Sequence, residues 1–104
     1  MGVAVTFDDR GVTLRHPDGR AEFVGWPDLR TVAVETTDAG PFAEDVFFVL
    51  NGGAGVCRVP QGAAGADELL ARLQELPGFD NEPVIRAMSS AGQASFPCWV
   101  RGRV

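Results

Sequence analysis

The order of two sequence patterns constrains the fold of this chain more than any other feature. Within residues 3–59, apolar residues recur at every second position in short runs broken by turn residues, which is the period of half-buried strands. Residues 66–76 then carry apolar side chains at helical spacing, and Pro77 and Gly78 end that helix. A meander of strands followed by a helix with one apolar stripe predicts an antiparallel sheet that is bent into a half-barrel and capped by the helix.

Turn residues divide the strand region into six expected strands. Pro17, Asp18 and Gly19 mark the clearest turn, because proline suits the first central position of a turn and glycine accepts a positive φ. Residues 46–50 are apolar on both faces. This pattern indicates a strand that is covered on both sides, by the sheet interior and by a helix or a neighbouring subunit.

Two helices and an extended tail are expected after the strands. The leucines of the first helix are placed to fill the core, and Asp80 is expected to cap the second helix. The tail is apolar, so we expect it to pack back on the domain. The prediction is one α+β domain over residues 1–104, with strands within 3–59, a helix over 66–76, a second short helix over about 81–90 and a packed, extended tail over 95–100.

Composition argues against two classes of partner. The chain has 104 residues and a formal net charge of -5, and its nine basic residues are dispersed arginines. Nucleic acids and anionic membranes require a clustered positive face, so neither is an expected partner. The longest apolar run is far shorter than the roughly 20 residues that cross a bilayer, and the first residues lack the basic region of a signal peptide. These patterns predict a cytoplasmic protein.

No residue set predicts catalysis, and neither a metal nor a cofactor is expected. His16 opens a turn without a positioned partner, while Asp8 and Asp9 are adjacent at a strand end and therefore point apart. Cys57 and Cys98 lie far apart in a chain with one histidine, which argues against a zinc site. Two semi-buried free thiols are favoured over a disulfide, which stays open as the alternative.

The best candidate contact surface is the acidic loop over residues 38–45. It carries one aromatic residue, Phe42, within Asp38, Glu44 and Asp45. This composition is typical of a binding patch in which an aromatic anchor is surrounded by a charged rim. The alternative is an ordinary solvated loop whose phenylalanine packs under the sheet.

The two tryptophans have different expected roles. Trp26 lies at a corner between strands, where a tryptophan is expected to close the end of a small barrel. Trp99 has two interpretations, a core position or a partly exposed position at an interface. The predicted partner-binding residues are therefore Asp38, Phe42, Glu44, Asp45 and Trp99.

The corner over residues 23–29, Phe-Val-Gly-Trp-Pro-Asp-Leu, and the leucine-bearing helix after the strands resemble bacterial PH-like domains. In such domains an aromatic-x-Asp-aliphatic step falls between strands three and four, and a C-terminal helix caps an open barrel. The resemblance covers roughly residues 3–76. The PH fold has seven strands, so the seventh would lie in residues 37–45 or in the tail.

The resemblance implies binding rather than catalysis, since PH-like domains hold phosphoinositides, peptides or protein surfaces. Lipid-binding members use basic residues in the loop after the first strand, whereas residues 8–11 here are Asp-Asp-Arg-Gly. Lipid binding is therefore not carried over. We expect a small, non-catalytic bacterial protein-binding module, with an immunity or accessory protein as the candidate role. The alternative is a homodimer that buries residues 46–50 and the tail around Trp99, and an enzyme ranks third.

Overall fold

The computed structural model describes residues 2–37, 46–53, 55–89 and 92–102 and shows an α+β fold with two antiparallel sheets and two helices. The expected α+β class is confirmed. The elements in chain order are β1 (Ala4–Phe7), β2 (Gly11–Arg15), β3 (Ala21–Gly25), a 3₁₀ turn (Trp26–Asp28), β4 (Thr31–Thr36), β5 (Val46–Asn51), β6 (Val56–Pro60), α1 (Ala66–Leu73), α2 (Glu82–Met88) and β7 (Ala94–Val100).

Hydrogen bonds divide the seven described strands into two sheets. One sheet has the order β1-β2-β3, and the other has the order β6-β5-β4-β7. Every neighbouring pair is antiparallel. The segment before α1 extends the first sheet, because the Val5 N–H donates to the Ala64 carbonyl at 2.8 Å. This short bridge fixes the start of α1 against β1.

The predicted tail is a strand in the second sheet. β7 pairs with β4 in antiparallel register and is the seventh strand of the described chain. A bulge shifts the register, so that Val32 faces Trp99 while Ala33 faces Pro97. The extra residue places Cys98 and Trp99, two consecutive side chains, in the buried layer. Pro97 is compatible with this strand because β7 lies at the edge of the sheet.

The leucines of α1 enter the core as expected. Leu69 and Leu73 are both fully buried in one hydrophobic cluster, to which both sheets and both helices contribute. The helix ends at Leu73, so the predicted end at residue 76 is wrong. Leu76 lies in the turn that follows, where Gly78 has a φ of 83°. This turn directs the chain away from the axis of α1 before α2 begins.

The second helix is shorter than expected, and its cap differs in detail. α2 begins at Glu82, and the structural N-cap is Asn81. The Asp80 carboxylate still accepts the Glu82 N–H at 3.0 Å, so it serves the function for which it was predicted. Neither helix in the described part of the chain is long and apolar enough to cross a membrane.

The strand predicted to be covered on both sides has one buried and one partly exposed face. Phe48 and Leu50 are buried in the core, whereas Phe47 and Val49 point to the opposite face and are partly exposed. That face is covered in part by Arg58, whose guanidinium carbon lies 4.6 Å from the centroid of the Phe47 ring. Cover of the rest of this face by a helix or by a neighbouring subunit stays a prediction.

Candidate functional site

The two tryptophans, which are distant in sequence, line one surface cavity of about 350 Å³. Its walls come from the 3₁₀ turn, the end of α1 with the following turn, and the end of β7. The chain has two tryptophans and no tyrosine. The cavity therefore contains every strongly fluorescent side chain of the protein.

Trp26 lies at the corner between β3 and β4, that is, between the two sheets, and its predicted role in closing the end of a barrel stays a prediction. Pro27 occupies the first turn of the 3₁₀ segment, where its fixed φ suits the geometry. The Trp26 indole N–H donates to the Asp8 carbonyl at 2.6 Å, which ties the corner to the turn between β1 and β2. Leu29, just after the turn, is fully buried. These contacts hold the indole in a partly buried position at the mouth of the cavity.

Trp99 lies in the core, with part of its ring lining the cavity. The side chain is 8 % exposed, and its indole N–H donates to the Pro77 carbonyl at 2.8 Å. This bond joins β7 to the turn after α1. The core interpretation is confirmed, and the partner-binding role of Trp99 stays a prediction for the small part of its surface that faces the cavity.

Arg101 is the most firmly held cation at the site. Its Nε donates to the Leu29 carbonyl and its Nη2 donates to the Trp26 carbonyl, both at 2.6 Å. Its backbone N–H donates to the Arg30 carbonyl at 2.8 Å. The guanidinium carbon also lies 5.5 Å from the centroid of the Trp99 ring. The side chain is thus fixed by main-chain carbonyls, which do not neutralise its charge.

Arg72 supplies the second cation from α1. Its guanidinium carbon lies 4.5 Å from the centroid of the Trp26 ring, a cation–π distance. Its Nη1 lies 3.9 Å from Glu75 Oε1, which is longer than a hydrogen bond. Because this pair is loose and the carboxylate is exposed, Arg72 retains most of its capacity to bind another anion.

The cavity is positive in a chain that is acidic overall. Among the described residues that line it, none carries a carboxylate, although the formal net charge of the chain is -5. A second cavity, of about 420 Å³, adjoins it and shares Val100 and Arg101. Arg30 and Asp28 lie in that second cavity. Arg101 therefore stands between two surface depressions and presents charge to both.

The predicted contact loop falls largely outside the part of the chain that the structure describes. Asp38, Phe42, Glu44 and Asp45 all lie outside the described residues. The two positions that flank the loop in the sheet, Thr36 and Val46, face each other in the register of β4 and β5. The predicted role of these four residues in partner binding therefore stays a prediction.

The two cysteines are free thiols buried in the core, as favoured from the sequence. Cys57 is fully buried and Cys98 is 3 % exposed. Burial is the main cause that raises the pKa of each thiol from the ordinary value of 9.0 to about 11. Since the thiolate is the reactive form, both cysteines are poor nucleophiles at neutral pH.

Among the other side chains weighed for catalysis, Asp8 and Asp18 are held by hydrogen bonds, whereas the buried His16 Nε2 has no hydrogen-bond partner. His16 Nε2 lies 3.5 Å from Glu22 Oε1 across the first sheet. The Asp18 carboxylate accepts the Arg20 backbone N–H and the Arg20 side chain, and these bonds lower its pKa. Asp8 accepts the Arg10 and Gly11 N–H groups in its turn. Within the described ranges, no three His, Cys, Asp or Glu residues lie close enough to hold a metal ion.

Arg72 and Arg101 are the site residues that sequence analysis missed. Arg72 lies in the last turn of a helix, where a cation is favoured by the helix dipole alone. Arg101 follows an apolar segment and belongs to no motif. Their proximity depends on the pairing of β7 with β4, which no local pattern encodes. Comparisons of this chain with protein-family models, with curated proteins and with solved structures give no match.

Proposed function

We propose that this chain is a non-catalytic, cytoplasmic protein-binding module, with an immunity or accessory protein as its candidate role. The observation that carries the proposal is the cavity between Trp26 and Trp99, with its two guanidinium groups. Tryptophan and arginine are the residues most enriched at the energetic centres of protein interfaces. Here Trp26, Trp99 and Arg101 are fixed in place by hydrogen bonds to main-chain carbonyls before any partner arrives. Preorganisation of this kind reduces the entropic cost of binding.

A PH-like half-barrel remains the fold that we propose within the α+β class. The seven described strands equal the number in the PH fold, and the leucines of α1 enter the core. The departure is the position of α1, which precedes α2 and β7. We propose that β7 takes the place of the missing strand, and that binding occurs on the surface beside it.

The experiment that tests this function captures partners on the immobilised wild-type chain from a bacterial lysate and then measures the purified partner by calorimetry. Two variants separate the two candidate surfaces. Phe42→Ala removes the anchor of the predicted loop, and Arg72→Glu reverses one charge in the cavity. We expect a stoichiometric complex that Arg72→Glu weakens by about tenfold or more. Failure of the wild-type chain to bind any purified candidate would contradict the proposal.

Self-association is a second candidate, favoured by the outer face of the four-stranded sheet. This face presents Phe47, Val49 and Val56, and Val56 is 47 % exposed. An exposed apolar sheet face is a common site for a second copy of the same chain. If this candidate is correct, light scattering will show a dimer that Val49→Glu dissociates. An unchanged monomer mass at two well-separated concentrations would exclude it.

A further inference from the structure

The arginines at the cavity have cationic capacity that the chain itself does not use. Arg101 is oriented by the carbonyls of Leu29 and Trp26, and these neutral acceptors occupy only part of its fork of N–H donors. No ion pair joins Arg101 to a carboxylate in the described residues. Carboxylates are the groups that best match the planar geometry of a guanidinium.

Arg72 also has N–H donors that remain available to a ligand. The guanidinium carbon lies over the Trp26 ring at 4.5 Å from its centroid, and a cation–π contact of this kind uses the charge without occupying the N–H donors of the side chain. The indole also limits the positions available to the side chain, so less entropy is lost when it binds. Two oriented cations on different structural elements therefore line the same cavity.

The rest of the cavity wall is apolar. Leu76 and Pro77 line it together with the two indoles. Its volume, about 350 Å³, lies at the lower end of the roughly 300–1,000 Å³ range of ligand cavities. A ligand that fits this wall combines a carboxylate with an apolar group of modest size.

The shape of the surface favours an extended segment over a small free anion. Pro77, Arg101 and Gly102 are exposed, so the cavity is open along this side. The adjoining cavity of about 420 Å³ continues beyond Arg101. A chain that runs across both depressions would pass Arg101 in the middle and place acidic side chains within its reach.

We propose that this double cavity binds an extended acidic segment of a protein partner, in which carboxylate side chains bind Arg72 and Arg101 and an apolar residue packs on the indoles. The proposal rests on the protein-binding function proposed above and specifies its partner. Charge complementarity is its main support, because Arg101 has no ion pair with a described carboxylate and Arg72 has only a long one, in a chain of net charge -5. Asp28 in the adjoining cavity is the one described carboxylate that lines the double cavity, and it lies there together with Arg30 and Arg101. The free protein repels acidic segments elsewhere on its surface, which directs them to this site.

Intrinsic fluorescence offers a direct test, because both tryptophans line the cavity and the chain has no tyrosine. The probe is the peptide acetyl-Ala-Asp-Leu-Glu-Ala-amide, and the matched control is acetyl-Ala-Asn-Leu-Gln-Ala-amide. We expect a saturable change in tryptophan emission with the acidic peptide and at least about tenfold weaker binding of the neutral one. Added salt should weaken the acidic complex, since it screens the charges.

The chain offers a matched pair of variants. Arg72 and Arg86 each lie in the last turn of a helix, but only Arg72 lines the cavity. Arg72→Glu should weaken binding of the acidic peptide by about tenfold or more, whereas Arg86→Glu should weaken it by no more than about twofold. If Arg72→Glu fails to fold, Arg72→Gln replaces it. Arg101→Lys is a further variant that keeps the positive charge but lacks the planar pair of guanidinium N–H donors.

Three results would overturn the assignment: equal binding of the two peptides, equal effects of the two arginine variants, or a flat titration up to about 1 mM acidic peptide. Sodium acetate at the same carboxylate concentration tests the alternative of a small-anion site. Acetate binding as tight as that of the peptide would also overturn the proposal. A captured partner that binds wild type and Arg72→Glu equally would refute this inference and leave the protein-binding function intact.

Discussion

The molecule places an arginine over an aromatic ring in two regions, with opposite consequences. On the outer face of the four-stranded sheet, Arg58 lies 4.6 Å from the centroid of Phe47, and its Nη2 lies 3.1 Å from Glu35 Oε1. At the cavity, Arg72 lies 4.5 Å from the centroid of Trp26, and its ion-pair contact is 3.9 Å long. Stacking is nearly the same in both, so the difference lies in the neighbouring carboxylate.

This difference shows that the charge of an arginine over an aromatic ring can be compensated within the chain or left largely uncompensated. Glu35 and Arg58 lie on β4 and β6, on either side of the strand that carries Phe47, so their ion pair spans the ring. The charge is compensated within the chain. At the cavity, Arg72 and Arg101 line the same depression. Two cations that line one depression favour an anion that does not belong to this chain.

The largest effect on the free energy of unfolding is expected where α1 packs on the core. This packing also holds the helix that carries Arg72 in place. Leu73 is fully buried, and Leu73→Ala should lower the free energy of unfolding by about 2–5 kcal/mol, through lost burial and a residual cavity. Urea denaturation measures this change. Leu70→Ala is the control, since Leu70 is only partly buried, and it should cost clearly less. A loss below about 0.5 kcal/mol for Leu73→Ala would mean that α1 does not anchor the cavity.

The dependence of stability on alkaline pH tests the core beside both regions, because a buried cysteine precedes one residue of each region in the sequence. Cys57 precedes Arg58 in β6, and Cys98 precedes Trp99 in β7. Each thiol has a pKa of about 11 in the folded protein and about 9 when unfolded. The unfolded chain therefore loses these protons first, and stability that is fully present below about pH 9 should be lost as the pH rises through about 11.

The measurement is unfolding by urea at a series of alkaline pH values. The chain has neither lysine nor tyrosine, so no other side chain with an ordinary pKa between 9 and 11 obscures the result. Cys57→Ala and Cys98→Ala should each remove part of the pH dependence. If stability is constant over this range in the wild-type chain, the thiols are accessible to water, and the packing described around them is wrong.

The smallest effects are expected at the two surface ion pairs, Glu35–Arg58 on the sheet and Arg72–Glu75 on α1. A double-mutant cycle with Glu35→Gln and Arg58→Gln should give a coupling energy of about 0.2–1 kcal/mol, the usual range for exposed pairs. The same cycle on Arg72 and Glu75 should give a smaller value, because their separation is longer. Denaturation of the six variants measures both. Equal coupling in the two pairs would remove the contrast between the two regions.

Local sequence patterns predicted most of the strands and both helices, because the period of apolar residues reports which face of an element is buried. β7 was predicted only as an extended tail, since Pro97 and the bulge at Cys98 break its alternation. The pairing of β7 with β4 joins distant parts of the chain. The cavity depends on that pairing. No local sequence pattern therefore predicts that Arg72 and Arg101 line the same cavity.

The position of β7 also determines when the cavity can exist. During synthesis β4 emerges long before β7. The edge of β4 that pairs with β7 therefore stays unpaired until the intervening strands and both helices have been made. Contacts between such distant segments close slowly, because the entropy of a long loop is lost before the strands pair. Trp99 and Arg101 reach Trp26 and Arg72 only at this step. The cavity is therefore absent from a nascent chain, and it forms when the second sheet is complete.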